Sequence, residues 1–172
     1  MFQTGQLVVY GSTGVCRVEG IERPECSSTD KLYYLLQPLY QSGVIYAPVD
    51  SQKVLIRPVI SKQEAERLVD QISTLHPQVC RGRTLQQLSQ YYQSVLQSSD
   101  CLKLAELAMS IHLKKEAAER QKRRLCTVDE RYMRKEERVL HGELSAALGI
   151  PFDQVPGLIA AHVKAAKLQS AQ

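Results

Sequence analysis

Val54-Leu55-Ile56-Arg57-Pro58-Val59-Ile60-Ser61-Lys62-Gln63-Glu64 is the stretch whose two sides follow different periods. On its N-terminal side, apolar residues come in short runs, and Val54-Leu55-Ile56 reads as the last of them, a short strand before Pro58. On its C-terminal side, Ser61-Lys62-Gln63-Glu64 has the form of a capping box, a hydroxyl at the N-cap and a carboxylate three residues on. Ala65, Leu68, Val69 and Ile72 then follow at i, i+3, i+4 and i+7, one face of a helix. The expected fold class is therefore α+β as two domains, residues 1–60 and 61–172.

Working back from that junction, four more runs read as strands. Leu7-Val8-Val9-Tyr10 is bounded by Gly5 and by Gly11-Ser12-Thr13-Gly14, which reads as a tight turn. Val15 to Ile21 alternates in part, and Leu32 to Leu36 is a third strand after a polar connection. Gln41-Ser42-Gly43 turns the chain into Val44-Ile45-Tyr46-Ala47-Pro48-Val49. About five short strands in so few residues fit a small antiparallel β-barrel of Tudor or SH3-like type. Pro48 cannot donate a ladder hydrogen bond, so the fourth strand belongs at an edge.

Working forward, the pattern predicts an all-α helical bundle. His76-Pro77 ends the first helix, and Thr84-Leu85-Gln86-Gln87 is a second capping box leading into Leu88, Tyr92 and Val95. Ser98-Ser99-Asp100 opens a long helix from about Cys101 to Leu125. Thr127-Val128-Asp129-Glu130 has the form of a third capping box, with its helix running to Gly149 before Pro151. A last helix spans roughly Pro156 to Leu168.

Composition narrows the function classes. Hydrophobic residues make up 44% and charged residues 23%, which suits a folded core. There is no run of 18 apolar residues and no export signal at Met1-Phe2-Gln3-Thr4-Gly5, so a cytoplasmic, non-membrane protein is expected. The five cysteines (16, 26, 80, 101 and 126) form no Cys-x-x-Cys pair, and Pro77 lies between His76 and Cys80. Reduced, mostly packed thiols are expected, with no metal and no disulfide framework. The net charge is +4: residues 1–60 balance five basic against five acidic side chains, while residues 114–138 hold ten basic against six acidic. That asymmetry suggests a neutral module joined to one able to approach an anionic polymer.

No phosphate-binding loop, nucleophile elbow or His-Glu-x-x-His motif is present, so no enzyme activity, catalytic residue, cofactor or small-molecule substrate is expected. Two features remain. Lys122-Arg123-Arg124, followed by Arg131, Arg134, Lys135 and Arg138, reads either as a solvated helix surface or as a phosphate-neutralising patch. Val44 to Val49 reads either as core sheet or as an edge open to a partner's strand.

The order of residues resembles the CarD/CdnL family of bacterial RNA-polymerase-binding regulators, whose module recurs in the transcription-repair coupling factor. The resemblance rests on Phe2-x-x-Gly5, Val8-Val9-Tyr10-x-x-x-Gly14, Val18-x-x-Ile21-Glu22, Tyr33-Tyr34-x-Leu36, Tyr46-x-Pro48-Val49 and Leu55-x-Arg57-Pro58-Val59. In the helical half it continues through Leu96-x-x-x-Asp100, Ala105-Glu106-Leu107, Leu125-x-Thr127-x-x-Glu130-Arg131 and Leu140-x-x-Glu143-Leu144. It implies a barrel that docks on the RNA polymerase β subunit through Ile45, Tyr46, Ala47 and Pro48, with Arg23 and Pro24 near a second contact. It also implies a helical domain that touches promoter DNA at the upstream edge of the bubble, where the family wedges a tryptophan into the minor groove. This chain has no tryptophan; the wedge position falls on Leu85, and the basic residues that usually follow it are Gln87 and Leu88. Arg81 and Arg83 lie just upstream, and Arg131 matches a basic family position.

The resulting expectation is a transcription regulator, found with polymerase at the bacterial nucleoid, that modulates open-complex stability. Its DNA-contacting residues would be Arg81, Arg83, Leu85, Lys122, Arg123, Arg124, Arg131 and Arg134. Two alternatives stay open: an adaptor that binds polymerase without touching DNA, and a free-standing nucleic-acid binder. Leu85 itself reads either as an exposed wedge or as a packed residue beneath the Arg81–Arg83 loop.

Overall fold

The computed structural model describes residues 1–24, 30–79 and 84–171. Among the described residues, five strands open the chain: β1 (Leu7–Tyr10), β2 (Gly14–Glu22), β3 (Tyr33–Pro38), β4 (Ile45–Pro48) and β5 (Ile56–Pro58). They form one antiparallel sheet in the order β4-β3-β2-β1-β5, with β4 and β5 at its two ends. Alternation builds its core. Val8, Cys16, Val18, Tyr34, Leu36 and Ala47 are buried together on one face. A bulge between Val18 and Gly20 shifts the β2–β3 register and bends β2.

The turn between β1 and β2 forms as expected, while the bounds of the fifth strand differ from those expected. Gly11–Thr13 is a 3-10 turn between β1 and β2. The fifth strand begins at Ile56 and includes Pro58, which faces Val8. Before it, the Leu55 carbonyl accepts a bond from the Gly11 amide at 3.1 Å, and the Leu55 side chain is exposed. Pro58 is tolerated because β5 is an end strand whose outer side needs no donor.

Five α-helices follow among the described residues: α1 (Lys62–Thr74), α2 (Leu85–Ser98), α3 (Cys101–Arg120), α4 (Thr127–Leu148) and α5 (Val155–Ser170). The capping boxes at Ser61 and Thr84 both form. Asp100 caps α3 by accepting from the Leu102 and Lys103 amides. The third box does not form. Cys126 is the N-cap of α4 with no side-chain bond, and Asp129 is drawn inward, accepting from the Tyr92 hydroxyl at 2.6 Å and Lys114 Nζ at 3.0 Å. The end of α3 is likewise earlier than the apolar pattern suggested. Arg123 donates to the Ala118 carbonyl at 2.8 Å and Lys122 to the Glu119 carbonyl at 3.0 Å, a Schellman turn with Lys122 at φ +52°.

The helices bury two apolar clusters, one among α2, α3 and α4 around Tyr92 and Ile111, the other among α1, α3, α4 and α5 around Ile72 and Leu144. No single helix among the described residues is long and apolar enough to cross a membrane. Of the described thiols, Cys16 is buried and Cys101 half-buried, while Cys126, in the α3–α4 connection, is exposed.

The sheet packs directly on α4. Gly14 has φ +89°, and a Cβ there would come within 3.2 Å of the Arg138 carbonyl oxygen. At Gly142 a Cβ would meet the Tyr40 ring at 2.8 Å, so two glycines permit the close approach. Tyr40 completes it, donating to Ser145 Oγ at 3.1 Å and stacking on Phe152 with centroids 4.6 Å apart.

Candidate docking edge and nucleic-acid interface

The sheet presents β4 at one end, paired among the described residues only on its β3 side. Its other row of backbone donors and acceptors faces away from the sheet, which is the geometry that accepts an added strand. Alternation divides its side chains. Ala47 and Ile45 face Tyr34 and Leu36 of the core, whereas Tyr46 is 52% exposed opposite Leu35. Val44, just before the strand, is exposed to the same extent. Arg23 and Pro24 follow Glu22, which is in register with Tyr33 and through it with Pro48. They therefore lie at the same end of the sheet as Pro48, and Arg23 forms an exposed ion pair with Asp30 at 3.0 Å. The six residues named from the sequence thus lie on or beside the β4 edge, but the Ala47 side chain is buried in the sheet core, so only its backbone is available at that edge.

The basic residues divide differently. Arg131, Arg134, Lys135 and Arg138 fall at i, i+3, i+4 and i+7 on α4 and line one shallow face. Arg131 and Lys135 both lie over the Tyr132 ring, 5.1 and 5.3 Å from its centroid. Arg134 pairs with Glu130 at 2.9 Å, and Arg138 donates to Gln41 Oε1 in the β3–β4 connection at 2.6 Å. Lys122, Arg123 and Arg124 are exposed but stand in the α3–α4 connection rather than on a helix, at the N-terminal end of that row. Arg81 and Arg83 lie outside the described residues.

Leu85 is 61% exposed, which removes the packed reading. It continues the core stripe of Leu88, Tyr92 and Leu96, yet sits at the first position of α2, one turn beyond the packed cluster. Ser89 meets Tyr132 and Tyr92 meets Asp129, so α2 and α4 run antiparallel. Leu85 therefore lies toward the Lys135–Arg138 end of the row, and Lys122–Arg124 at the other.

The sequence reading missed the carboxylates beneath this surface. Asp129, Glu136 and Glu143 recur every seven residues on the inner side of α4 and are all buried. Asp129 is held by Lys114, and Glu143 by Arg57, the Ile60 amide and the Cys101 thiol. Neither Glu136 oxygen has a hydrogen-bond partner among the described residues; burial, with the nearby Glu137 charge, pushes its carboxyl well above the usual range. Burial and the charge of Glu143 push the Cys101 thiol up to about 12, so it stays protonated. Between α3 and α5, a concavity of about 550 Å³ is lined mostly by apolar side chains, with His141 at its wall. Burial, then His112, lowers His141 to about 4, leaving it neutral at neutral pH.

No curated protein matches the chain. Residues 2–60 match the family described as the CarD-like/TRCF RID domain, an RNA polymerase β-interacting module, and that match takes in the whole five-stranded sheet with its β4 edge. Residues 2–60 of this chain are a CarD-like/TRCF RID module, fitted to a polymerase-binding role.

Proposed function

We propose that the chain is a non-enzymatic transcription regulator of the bacterial cytoplasm, brought to the nucleoid by polymerase. Its sheet, read as a Tudor-like barrel, adds β4 to a strand of the polymerase β subunit. Its helical part lays the α4 cationic row on promoter DNA at the upstream edge of the bubble. Leu85 stands where an apolar side chain can enter an unstacked base step. The observation that carries the reading is the match over residues 2–60, whose sheet ends in an exposed strand. Binding that favours the melted promoter over the closed one lengthens the open complex.

The test is a ternary assembly of full-length chain, RNA polymerase and a promoter fork, with open-complex lifetime as readout. The chain should co-purify with polymerase and change that lifetime; failure to bind polymerase overturns the reading. A second reading, an adaptor without DNA contact, is favoured by one observation: Arg134 and Arg120 are already paired with Glu130 and Glu116 on their own helices. A salt titration separates the two, since a DNA binder loses affinity steeply as salt rises.

A further inference from the structure

From Thr84 to Ser99 the chain carries no Asp, Glu, Lys, Arg or His. On the face of α2 turned from the core, Gln86, Ser89, Gln90, Gln93 and Gln97 fall at i, i+3, i+4, i+7 and i+11, lining a shallow groove that Tyr132 of α4 closes. Surface helices usually fill such positions with charged residues for solubility, so a row of amides with no charge is a distinct chemical surface.

This row is joined to the cations of α4. The Tyr132 hydroxyl is bonded to Ser89 Oγ at 3.1 Å and donates to Gln93 Oε1 at 3.2 Å. Arg131 and Lys135 lie over the same ring, and Arg131 Nη2 donates to Ser89 Oγ at 3.3 Å. Tyr132 is therefore the seam between a cationic row and an amide row. Glu130, the acid paired with Arg134, lines the α4 face together with the cations, whereas the amide row of α2 carries no carboxylate.

We propose that the amide row reads base edges while the α4 cations hold the phosphates. This deepens, and rests on, the DNA-binding reading above. Each glutamine offers amide donors that can bond the A N3 and T O2 acceptors, the pattern by which the minor groove that would receive Leu85 distinguishes A·T from G·C. Phosphate contacts fix register and carry no sequence information, so cations and amides supply complementary parts of recognition. The absence of carboxylates along the row is what a polyanion requires.

The experiment titrates the full-length chain against two duplexes of equal length, one A·T-rich without A-tracts and one G·C-rich, over a range of salt. The wild type should prefer the A·T-rich duplex about tenfold. Gln86→Ala/Gln90→Ala, at two exposed positions, should bring that ratio close to one with an unchanged salt slope and melting temperature. A folded double variant that keeps the wild-type ratio overturns the inference, as does salt-dependent wild-type binding with no preference. Loss of polymerase affinity in the double variant with the DNA ratio retained also overturns it, marking the row as a protein contact. Absence of binding to either duplex at low salt instead removes the DNA-binding reading beneath it.

Discussion

Arg57 and Glu143, 86 residues apart, meet as a two-pronged ion pair, with Arg57 Nη2 donating to Glu143 Oε2 at 2.7 Å. The pair joins β5 to the C-terminal half of α4. Glu143 is fully buried and also accepts from the Ile60 amide at 3.1 Å. Arg57 is held more firmly protonated, first by this hydrogen bond. Removing one partner leaves the other charged and buried, so Arg57→Ala should lower unfolding free energy by about 3–5 kcal/mol. Arg57→Met/Glu143→Leu should recover most of that loss. Urea denaturation of the three proteins checks both statements, and an Arg57→Ala loss under about 1 kcal/mol would show the pair to be dispensable.

Lys122 holds the left-handed position that ends α3, where glycine is usual. Lys122→Gly relieves the Cβ clash and should raise stability by about 1 kcal/mol. Lys122→Val should lower it. Melting curves for the two variants should therefore move in opposite directions.

Glu136 and His141 give α4 opposite pH dependences. His141 is depressed to about 4 from 6.5, so the unfolded chain binds the extra proton, and stability falls as pH drops from about 6.5 toward 4. Glu136 is raised above 4.5, so its cost to stability grows as pH rises past that value. Glu136→Leu should thus stabilise the fold more at pH 8 than at pH 5, and His141→Leu should flatten the acid limb. Denaturation at several pH values reads both slopes; a Glu136→Leu gain that shrinks with rising pH would mean the carboxyl is charged and paired.

Leu85 separates stability from function. With 61% of its surface exposed, Leu85→Ala should change unfolding free energy by less than about 0.5 kcal/mol. The same variant should shorten open-complex lifetime, and Leu85→Trp should lengthen it by adding stacking area. Wild-type lifetimes in both folded variants would remove the wedge.

What the sequence revealed was local. The boxes at Ser61 and Thr84 close within four residues, and the edge position of β4 followed from one missing donor at Pro48. What it concealed depended on distant partners. Asp129 looked like part of a cap but is claimed by Lys114 and Tyr92, which only the packing of α2 and α3 brings near. Leu55 looked like strand interior, but its carbonyl serves the Gly11 turn. The early end of α3 was hidden because a lysine takes a glycine's conformation. At the site, the edge residues around Tyr46 were readable by alternation. The unity of Arg131, Arg134, Lys135 and Arg138 needed the helix register, and the amide row of α2 became visible only beside Tyr132.

The central claim is that β4 is the surface by which this chain meets RNA polymerase. The most direct measurement is the affinity of the full-length chain for the purified β subunit, compared between wild type and Tyr46→Glu. Tyr46 is half exposed on the end strand and its ring lies outside the sheet core, so the variant should melt with the wild type. The account predicts that it binds the β subunit about tenfold or more weakly, because a charge is placed in a partly apolar strand-to-strand contact. Wild-type affinity in a variant of unchanged melting temperature would contradict it.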